Sequence, residues 1–306
     1  MHVAVAIVGY RNVGDIVGCL RALSASTYSD FEVVICENGG ADAYAAVVDA
    51  APPVLSGGQP VRVILAPHNL GFAGGVNACV GATPDADAWW LLNPDTEAAP
   101  NALSAMVERL QRGDCDAVGC TLVLPSGVIQ SYGGRWRGWL ARSELIGLGD
   151  RLGDPVDREV VERAQSYLSG ASMLVGRRFV EVVGLMREEY FLYCEEVEWC
   201  LRGVAKGMCL GFSPDACVVH LHGTTTGAAE GVRDRPRMPV YLGERNKLLV
   251  TRDCFRRWFL VSAAASLAQL VLRCAPHGAW RHLGYGVEGW WAGVRGERGV
   301  PRWLRA

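Results

Sequence analysis

VAVAIVGYRN, residues 3–12, is the stretch that decides the fold, because an apolar run rich in β-branched residues ends abruptly in a turn-rich segment. Such a run is typical of a buried strand, and the apolar spacing that follows it is helical. The same pattern recurs along the first hundred residues. The strand segments are Val3–Val8, Phe31–Cys36, Val61–Leu65 and Ala88–Leu92, and the helical segments are Asp15–Leu23, Ala43–Ala50 and Gly74–Val80. This alternation predicts an α/β fold with a mostly parallel central sheet and flanking helices.

The chain after residue 92 is less regular. Its predicted elements are a helix at Ala98–Leu110 and regular segments at Ser172–Val175, Phe179–Val183 and Glu195–Arg202. Pro125-Ser126-Gly127 and Gly133-Gly134 are typical of hairpin turns. The stretch Arg135–Gly153, rich in Gly and Arg, is predicted to be a mobile loop.

Charge is divided unevenly along the chain. The formal net charge is −2, but residues 252–306 carry nine Arg against Asp253, Glu288 and Glu297, a net of +6, which leaves −8 on residues 1–251. The same tail holds five of the ten Trp. An acidic body with a basic, aromatic end favours contact with an anionic surface. We expect a membrane surface, and no nucleic acid, as a partner.

The uncharged stretch Trp258–Leu272 in this tail has fifteen residues. A membrane-spanning helix needs about 20 apolar residues, so an interfacial helix is favoured over a buried packing helix or a span. The eleven Cys include no C-x-x-C pair, and the N-terminus lacks a basic signal-peptide region. Both observations predict a cytoplasmic protein without disulfides or zinc, and the basic tail predicts that it lies at the inner face of the cell membrane.

Two motifs follow predicted strands, where ligands bind in open parallel sheets. The first, NLGFAGGVN at residues 69–77, lies between a strand and a helix, where backbone N–H groups can approach an anion. The second is Asn93-Pro94-Asp95, whose carboxylate could hold a divalent ion that bridges phosphates. The alternative structural roles are a tight turn with a helix cap for the first motif and a helix cap by Asp95 for the second.

Two further segments carry titratable side chains. YFLYCEEVEWCLR, residues 190–202, places three carboxylates within four residues among aromatics, so burial and repulsion would raise a pKa and produce a proton acceptor. A solvated helix N-terminus rich in Glu is the alternative. VVHLHGTTTG, residues 218–227, contains His220 and His222, which could bind a metal or phosphate, although either His alone is more often structural.

In this order the motifs resemble glycosyltransferase family 2, the inverting enzymes of GT-A fold, and within it the rhamnosyltransferase-like branch. The resemblance covers roughly residues 3–250. Ser169–Leu174 resembles the acceptor-side segment, and Arg245-Asn246 is also similar to this branch. The resemblance implies donor-binding roles for Gly9, Tyr10, Arg11, Asn12, Glu37, Asn38, Asn69, Gly71, Phe72, Gly74, Asn77, Asn93, Asp95, Arg202 and Arg245.

The resemblance also implies the catalytic and metal sites. Glu196 is expected to be the base, with Glu195 or Glu198 able to share or take that role, and Asp95 and His220 are expected to bind Mg²⁺ or Mn²⁺. The sequence departs from the family at two positions. Asn93 removes one carboxylate of the usual Asp-x-Asp, and Glu196 stands where an Asp is usual, which adds a methylene to the base.

The implied function is transfer of a sugar from a dTDP- or UDP-linked donor, dTDP-rhamnose being the branch's common one, to a saccharide or lipid-linked saccharide in polysaccharide synthesis. Residues 1–120 are expected to form the nucleotide-sugar half, residues 121–250 the acceptor half, and residues 251–306 a helical tail. The alternatives are a sugar nucleotidyltransferase, against which Gly9–Asn12 is too short, and a non-catalytic sugar-binding protein of the same fold.

Overall fold

The predicted alternation of strands and helices is confirmed by the computed structural model, which describes residues 1–221 and 231–304. The elements of the first part are β1 (Val3–Gly9), α1 (Val13–Leu23), β2 (Phe31–Glu37), α2 (Ala41–Ala50), β3 (Val61–Leu65), α3 (Gly71–Ala82), β4 (Ala88–Leu92), β5 (Thr96–Ala98) and α4 (Ala102–Gln111). The short strand β5 stands where the start of a helix was predicted. Asp95 therefore precedes a strand and does not cap α4.

The second part mixes strands and helices. Its elements are β6 (Ala117–Val123), β7 (Ile129–Ser131), β8 (Gly133–Arg137), β9 (Arg142–Ile146), α5 (Arg158–Ala164), β10 (Ser172–Gly176), α6 (Arg177–Val183), α7 (Glu195–Ala205), β11 (Leu210–His220), α8 (Arg237–Cys254), α9 (Phe259–Cys274) and α10 (Trp280–Arg295). The eleven Cys all lie in the described residues and are free thiols.

Within the described residues, nine strands form one sheet in the order β3-β2-β1-β4-β10-β6-β11-β5, with β7 added to β6. The pairs β1–β2, β1–β4 and β2–β3 are parallel, whereas β10 runs antiparallel to both of its neighbours, β4 and β6. The carboxyl ends of β1, β2 and β4 consequently meet at one edge. The segments that follow them, and with them the predicted donor site, share that edge.

Both faces of the sheet are buried. Along β1, Val5 and Ile7 pack with α1 and α4, while Ala4 packs with the cluster that includes α3, α6 and α7. The adjacent Trp89 and Trp90 of β4 divide between these two clusters in the same way. This two-sided burial explains why the strands are continuous apolar runs, as in parallel sheets covered by helices.

The segment Arg135–Gly153 was predicted to be a mobile loop, and that prediction is wrong. β8 pairs with β9 from Gly133↔Ile146 to Arg137↔Arg142, so Gly133-Gly134 lies in a strand and not in a turn. The hairpin tip is fixed by α9, because Ser262 Oγ donates to Gly138 O at 2.7 Å and Gln269 Nε2 donates to Leu140 O at 2.9 Å. The turn at Pro125–Gly127 is confirmed between β6 and β7.

The tail is helical, as predicted, and packs on α8 and on the tip of the β8–β9 hairpin. α8 continues to Cys254, past the expected boundary at residue 250, and α10 lies so close to it that a Cβ on Gly293 would be 2.7 Å from Arg245 O. Among the described residues, the helical stretch Arg256–His277 is 22 residues long and apolar enough to cross a membrane by length and composition, and little of it is buried.

Candidate functional site

The loops after β1 and β2 are joined by a buried carboxylate. Gly9 pairs with Glu37, and Glu37 Oε1 accepts hydrogen bonds from the backbone N–H of Arg11 at 3.1 Å and of Gly39 at 2.7 Å. A Cβ on Gly9 would overlap Glu37 Oε2, so only glycine fits beside this carboxylate. Glu37 thus fixes the relative position of the two loops from which the sequence predicts nucleoside contacts.

A cavity of about 600 Å³ opens beside these loops. Its lining includes Arg11, Asn12, Gly39, Gly40 and Asp42. Arg11 has a positive φ of 55°, and its Nε donates to Gly39 O at 3.1 Å, which places its side chain across the cavity wall. Tyr10 is 41% exposed at the same edge. The cavity has a size typical of small-molecule sites.

The glycine-rich segment is held by two asparagines. Asn38 Nδ2 donates to Gly71 O at 3.0 Å, and its Oδ1 accepts from Leu70 N at 3.1 Å. Asn69 Oδ1 accepts from Gly71 N at 3.0 Å. These side chains satisfy backbone groups at the start of α3. The structure therefore shows Asn38 and Asn69 shaping the loop, while their predicted contact with the donor stays a prediction.

Gly71 cannot be replaced without moving its neighbour. Its φ is +73°, and a Cβ there would overlap the carbonyl oxygen of Phe191. The next residue, Phe72, donates its N–H to that same oxygen at 2.8 Å. The glycine-rich segment and the turn that precedes α7 are therefore in direct backbone contact.

Two residues of α3 that are predicted to bind the donor, Gly74 and Asn77, also contact other parts of the protein. Gly74 packs on Leu70, from which a Cβ would be 2.7 Å away. Asn77 donates through Nδ2 to Met186 O and to Glu188 Oε1, each at 2.9 Å, and its Oδ1 accepts from Met186 N at 3.1 Å. Asn77 is buried by these contacts, so it positions residues 186–188.

The acidic pair Glu195–Glu196 begins α7 after a strained turn. Phe191, Tyr193 and Cys194 all have positive φ, between 67° and 74°. Such residues are uncommon and cluster at functional sites. Glu196 is half-buried next to Gly170, where a Cβ would be 3.4 Å from Glu196 Cγ and 3.5 Å from a ring carbon of Phe72. The glycine-rich segment, the acceptor-side segment and the expected base thus meet at Gly170.

Burial sets the protonation of this pair. Burial, and then the charge of Glu196, raises the pKa of Glu195 to about 8, while burial raises the pKa of Glu196 to about 7. Glu195 is 2% exposed, and its Oε2 has no hydrogen-bond partner in the described part of the chain. Together with burial, the charge of Glu196 raises the pKa values of Tyr167, Cys194 and Cys200. A carboxylate with a pKa near 7 suits proton abstraction at neutral pH.

Glu198, Arg202 and Arg245 each have charged or polar partners within the protein. Glu198 is 1% exposed and lies between the guanidinium groups of Arg187 and Arg202, with N···O distances of 3.3 and 2.9 Å. Arg202 also donates to Leu185 O at 2.9 Å, and Arg245, 1% exposed, donates to Tyr190 O at 3.0 Å. These contacts give all three residues structural partners, while the expected base role of Glu198 and the expected donor contacts of the two arginines stay predictions.

Asp95 and His220 come together as the sequence predicts. β5 pairs with β11 so that His220 lies opposite Thr96, and His220 Nε2 is 3.4 Å from Asp95 Oδ1. His220 Nδ1 lies 2.9 Å from Gln130 Oε1, an acceptor that favours a proton on Nδ1 and orients Nε2 toward Asp95. Gln130 had no sequence signal. His222 lies outside the described residues, among which no cluster of three or more metal-ligating side chains occurs.

This pair fits a divalent ion that takes few protein ligands. One carboxylate oxygen and one imidazole nitrogen converge, and Mg²⁺ or Mn²⁺ sites commonly complete their shell with water and substrate phosphates. The nearby Asn93 donates its N–H to Ala171 O at 2.9 Å, next to the Gly170 contact with Glu196. The ion site and the expected base therefore flank the same segment.

Comparison with known proteins now identifies the family. The profile described as Glycosyl transferase family 2 matches residues 4–160, half of the chain. The chain belongs to glycosyl transferase family 2. It is 27% identical over 299 residues to an N-acetylglucosaminyl-diphospho-decaprenol L-rhamnosyltransferase of Mycobacterium tuberculosis, covering 88% of this chain and 92% of that protein.

Solved structures support the same fold. A mannosyltransferase from Pyrobaculum calidifontis, in complex with GDP-Man and Mn²⁺, matches with a TM-score of 0.56 and 15% identity over 96% of this chain and 87% of that one. GalNAc-T7 with UDP, GalNAc and Mn²⁺ matches with a TM-score of 0.59 and 15% identity over 72% and 44%. This member of family 2 is a glycosyltransferase of GT-A fold, as the sequence motifs predict.

Proposed function

We propose that this family 2 enzyme is an inverting transferase that moves a sugar from a dTDP- or UDP-linked donor to a hydroxyl of a saccharide or lipid-linked saccharide. The observation that carries the proposal is that Glu196, with its raised pKa, lies beside Gly170, in the segment whose Ala171 O accepts from Asn93 N, two residues before Asp95. The rhamnosyltransferase from M. tuberculosis, whose name gives a lipid-linked acceptor, supports the acceptor class.

The proposed reaction uses the residues at this edge of the sheet. The nucleoside lies in the cavity beside Gly9–Asn12 and Glu37–Asn38, and the diphosphate lies near Gly71 and Asp95. Glu196 takes the proton of the acceptor hydroxyl as its oxygen bonds to the anomeric carbon, and the bond to the diphosphate breaks on the opposite face. No second carboxylate is needed, because the diphosphate leaves without protonation. Residues 1–120 thereby supply the donor half, and residues 121–250 the acceptor half.

Asp95 and His220 would hold the divalent ion, which when bound stabilises negative charge on the departing diphosphate. We test this by calorimetric titration of dTDP, UDP and GDP with and without Mn²⁺. The proposal expects one nucleotide to bind at least about tenfold more tightly with Mn²⁺, and Asp95→Asn to abolish that gain. Equal affinity in the presence and absence of Mn²⁺, for every nucleotide, would remove the metal from the proposal.

Turnover tests the function itself. We would incubate the enzyme with dTDP-rhamnose, UDP-sugars or GDP-sugars and a polyprenyl-diphosphate N-acetylglucosamine acceptor, and follow nucleoside diphosphate release. Proton NMR of the product then gives the anomeric configuration, which must be opposite to that of the donor sugar. Retention of configuration would contradict the role of Glu196 as a base for direct displacement.

We further propose that the enzyme is peripheral at the inner face of the membrane, through α9. This helix has an inverted pattern: Ser262 and Ser266 are buried against the protein, whereas its outer face is apolar and exposed. The outer face consists of Leu260, Val261, Ala264, Ala268, Val271 and Leu272, at spacings of three and four residues that place them on one side of a helix. Leu260 and Leu272 are 81% and 72% exposed.

Hydrogen bonds and charge favour an interfacial position over a span. Ser262 and Gln269 bind the β8–β9 tip, and Arg273 contacts Glu244 of α8 at 2.6 Å, so one side of α9 stays on the domain. The exposed Arg256 and Arg257 precede the helix, where they can contact anionic headgroups, each contributing about 1 kcal/mol near such a surface.

Vesicle flotation tests this proposal. Wild-type protein should float with vesicles containing anionic lipid at low salt, and Leu260→Glu should stay at the bottom. Val160→Glu is the matched control, because Val160 of α5 is also apolar and exposed but lies outside the outer face of α9. Equal flotation of both variants, or no flotation of the wild type, would refute the proposed membrane association through α9.

A further inference from the structure

In the turn Tyr190–Cys194, each backbone carbonyl oxygen from residue 190 to residue 193 accepts a hydrogen bond from another part of the protein. The carbonyl of Phe191 accepts the N–H of Phe72, which begins the contact with the glycine-rich segment. The other three carbonyls are bound from the opposite side, by α8. The turn therefore lies between the glycine-rich segment and α8, and it ends where α7 begins with Glu195 and Glu196.

One side chain binds those three carbonyls. Asn246 Nδ2 donates to Tyr190 O at 3.0 Å, to Leu192 O at 2.8 Å and to Tyr193 O at 2.7 Å. An amide NH₂ has two hydrogens, so at least one of these bonds is shared between two acceptors. Asn246 is fully buried. Tyr190 O also accepts from Leu192 N at 2.9 Å, so the carbonyl oxygens that most need this donor are those of Leu192 and Tyr193, because buried acceptors without partners are costly.

Arg245 fixes the orientation of that amide. Its Nε donates to Asn246 Oδ1 at 2.8 Å, so the NH₂ group must face the turn. Its Nη2 donates to Tyr190 O at 3.0 Å, and its Nη1 donates to Gly299 O at 2.6 Å. Gly299 N in turn donates to Glu189 O at 2.6 Å. Gly299 thus connects Arg245 to the residue that precedes the turn.

We infer that Asn246 is a positioning residue, which holds the Tyr190–Cys194 turn so that α7 starts with Glu196 beside Gly170. The residues of this turn with positive φ persist only if their surroundings fix them. Asn246 supplies that constraint and links the base to the glycine-rich segment through the shared turn. This inference rests on the proposed function, in which Glu196 is the base.

Asn246→Asp is the direct test, because aspartate has the same shape but cannot donate to three carbonyl oxygens. We expect kcat to fall by about 10- to 100-fold, since small displacements of a catalytic group have effects of this size. The donor KM should change by less than about threefold, because Asn38 and Asn69 still hold the glycine-rich segment when the turn moves. Asn246→Ser, which keeps one donor, should give an intermediate kcat.

Thr251→Val on the same helix is the matched control. Thr251 is also fully buried, but its hydroxyl donates to Lys247 O, within α8. It should lower the melting temperature without lowering kcat per folded molecule. Hydrogen exchange provides a second readout that needs no substrate: amides of residues 191–197 should exchange faster in Asn246→Asp than in Thr251→Val.

The outcomes separate the inference from the proposed function. If Asn246→Asp keeps wild-type kcat, or exchanges at residues 191–197 no faster than the control, the positioning role is refuted. If the wild type transfers no sugar from any donor, the proposed function fails, and hydrogen exchange alone then decides whether Asn246 holds the turn. An Asn246→Asp protein that folds too poorly for kinetics is replaced by Asn246→Ser, for which unchanged kcat and exchange are equally contradictory.

Discussion

Gly71→Ala, which adds a single methyl group, is expected to lower both the stability and the activity of the enzyme strongly. Gly71 begins α3 with φ +73°, a conformation that costs an alanine about 1–2 kcal/mol. The added Cβ would overlap Phe191 O and would lie 2.8 Å from its carbonyl carbon, where ordinary contacts begin at 3.4 Å. The backbone of the turn must therefore recede, at a further cost of about 1–3 kcal/mol.

These two terms together predict a loss of about 2–5 kcal/mol in the free energy of unfolding. The kinetic effect should be larger, because the turn that recedes also carries Glu196. A displacement of roughly 1 Å at a catalytic group can lower the rate about 100-fold. We therefore expect kcat/KM to fall by about two orders of magnitude, at temperatures where the variant is still folded.

Gly81→Ala is the matched control on the same helix. A Cβ on Gly81 meets no atom within 4 Å, so alanine should stabilise α3 by about 0.5–1 kcal/mol and leave activity unchanged. Thermal unfolding and donor turnover of both variants decide the matter. If Gly71→Ala unfolds at the wild-type temperature and turns over donor at the wild-type rate, the contact between the glycine-rich segment and the turn contributes neither to stability nor to the position of Glu196.

Three further predictions concern protonation and the ion site. The kcat/KM should fall as pH drops below about 7, because Glu196 must be ionised to act; a pH profile with no acid limb between pH 5 and 8 would contradict this. Because burial raises the pKa of Glu195 from 4.5 to about 8, its contribution to stability is full below about pH 4.5 and is lost as pH rises to about 8, so thermal unfolding of Glu195→Gln should depend less on pH between 5 and 8 than that of the wild type. Gln130→Ala should weaken the Mn²⁺-dependent gain in nucleotide affinity by about 10-fold, measured by calorimetry, since it orients His220; an unchanged gain would contradict that role.

The parallel half of the fold could be predicted from the sequence because its strands are buried on both faces. Val3–Val8 and Ala88–Leu92 are uninterrupted apolar runs bounded by turns, and each forms a strand within one residue of the predicted limits. The β8–β9 hairpin could not, because its Gly, Arg and polar residues show no alternation. Its order comes from pairing and from the side chains of α9, which are distant in sequence.

The candidate site divides in the same way. The proximity of Asp95 and His220 could be expected because chemistry limits the residue types at a metal, and the roles of both residues and of Glu196 stay predictions. The partners of Glu198, Arg202 and Arg245 could not be predicted, because motif position does not reveal which charges pair in the interior. Asn246 was visible beside Arg245, but its three acceptors are backbone carbonyls of a turn more than fifty residues away, and sequence carries no signal for them.

The central claim is that Glu196 deprotonates the acceptor in a sugar transfer that inverts the anomeric carbon. The most direct measurement compares the wild type with Glu196→Gln, using the donor that supports turnover, and follows both nucleoside diphosphate binding and sugar transfer. Glu196→Gln should bind the nucleotide with wild-type affinity and lose transfer by at least about 100-fold. Transfer by Glu196→Gln at the wild-type rate would show that Glu196 is not the base.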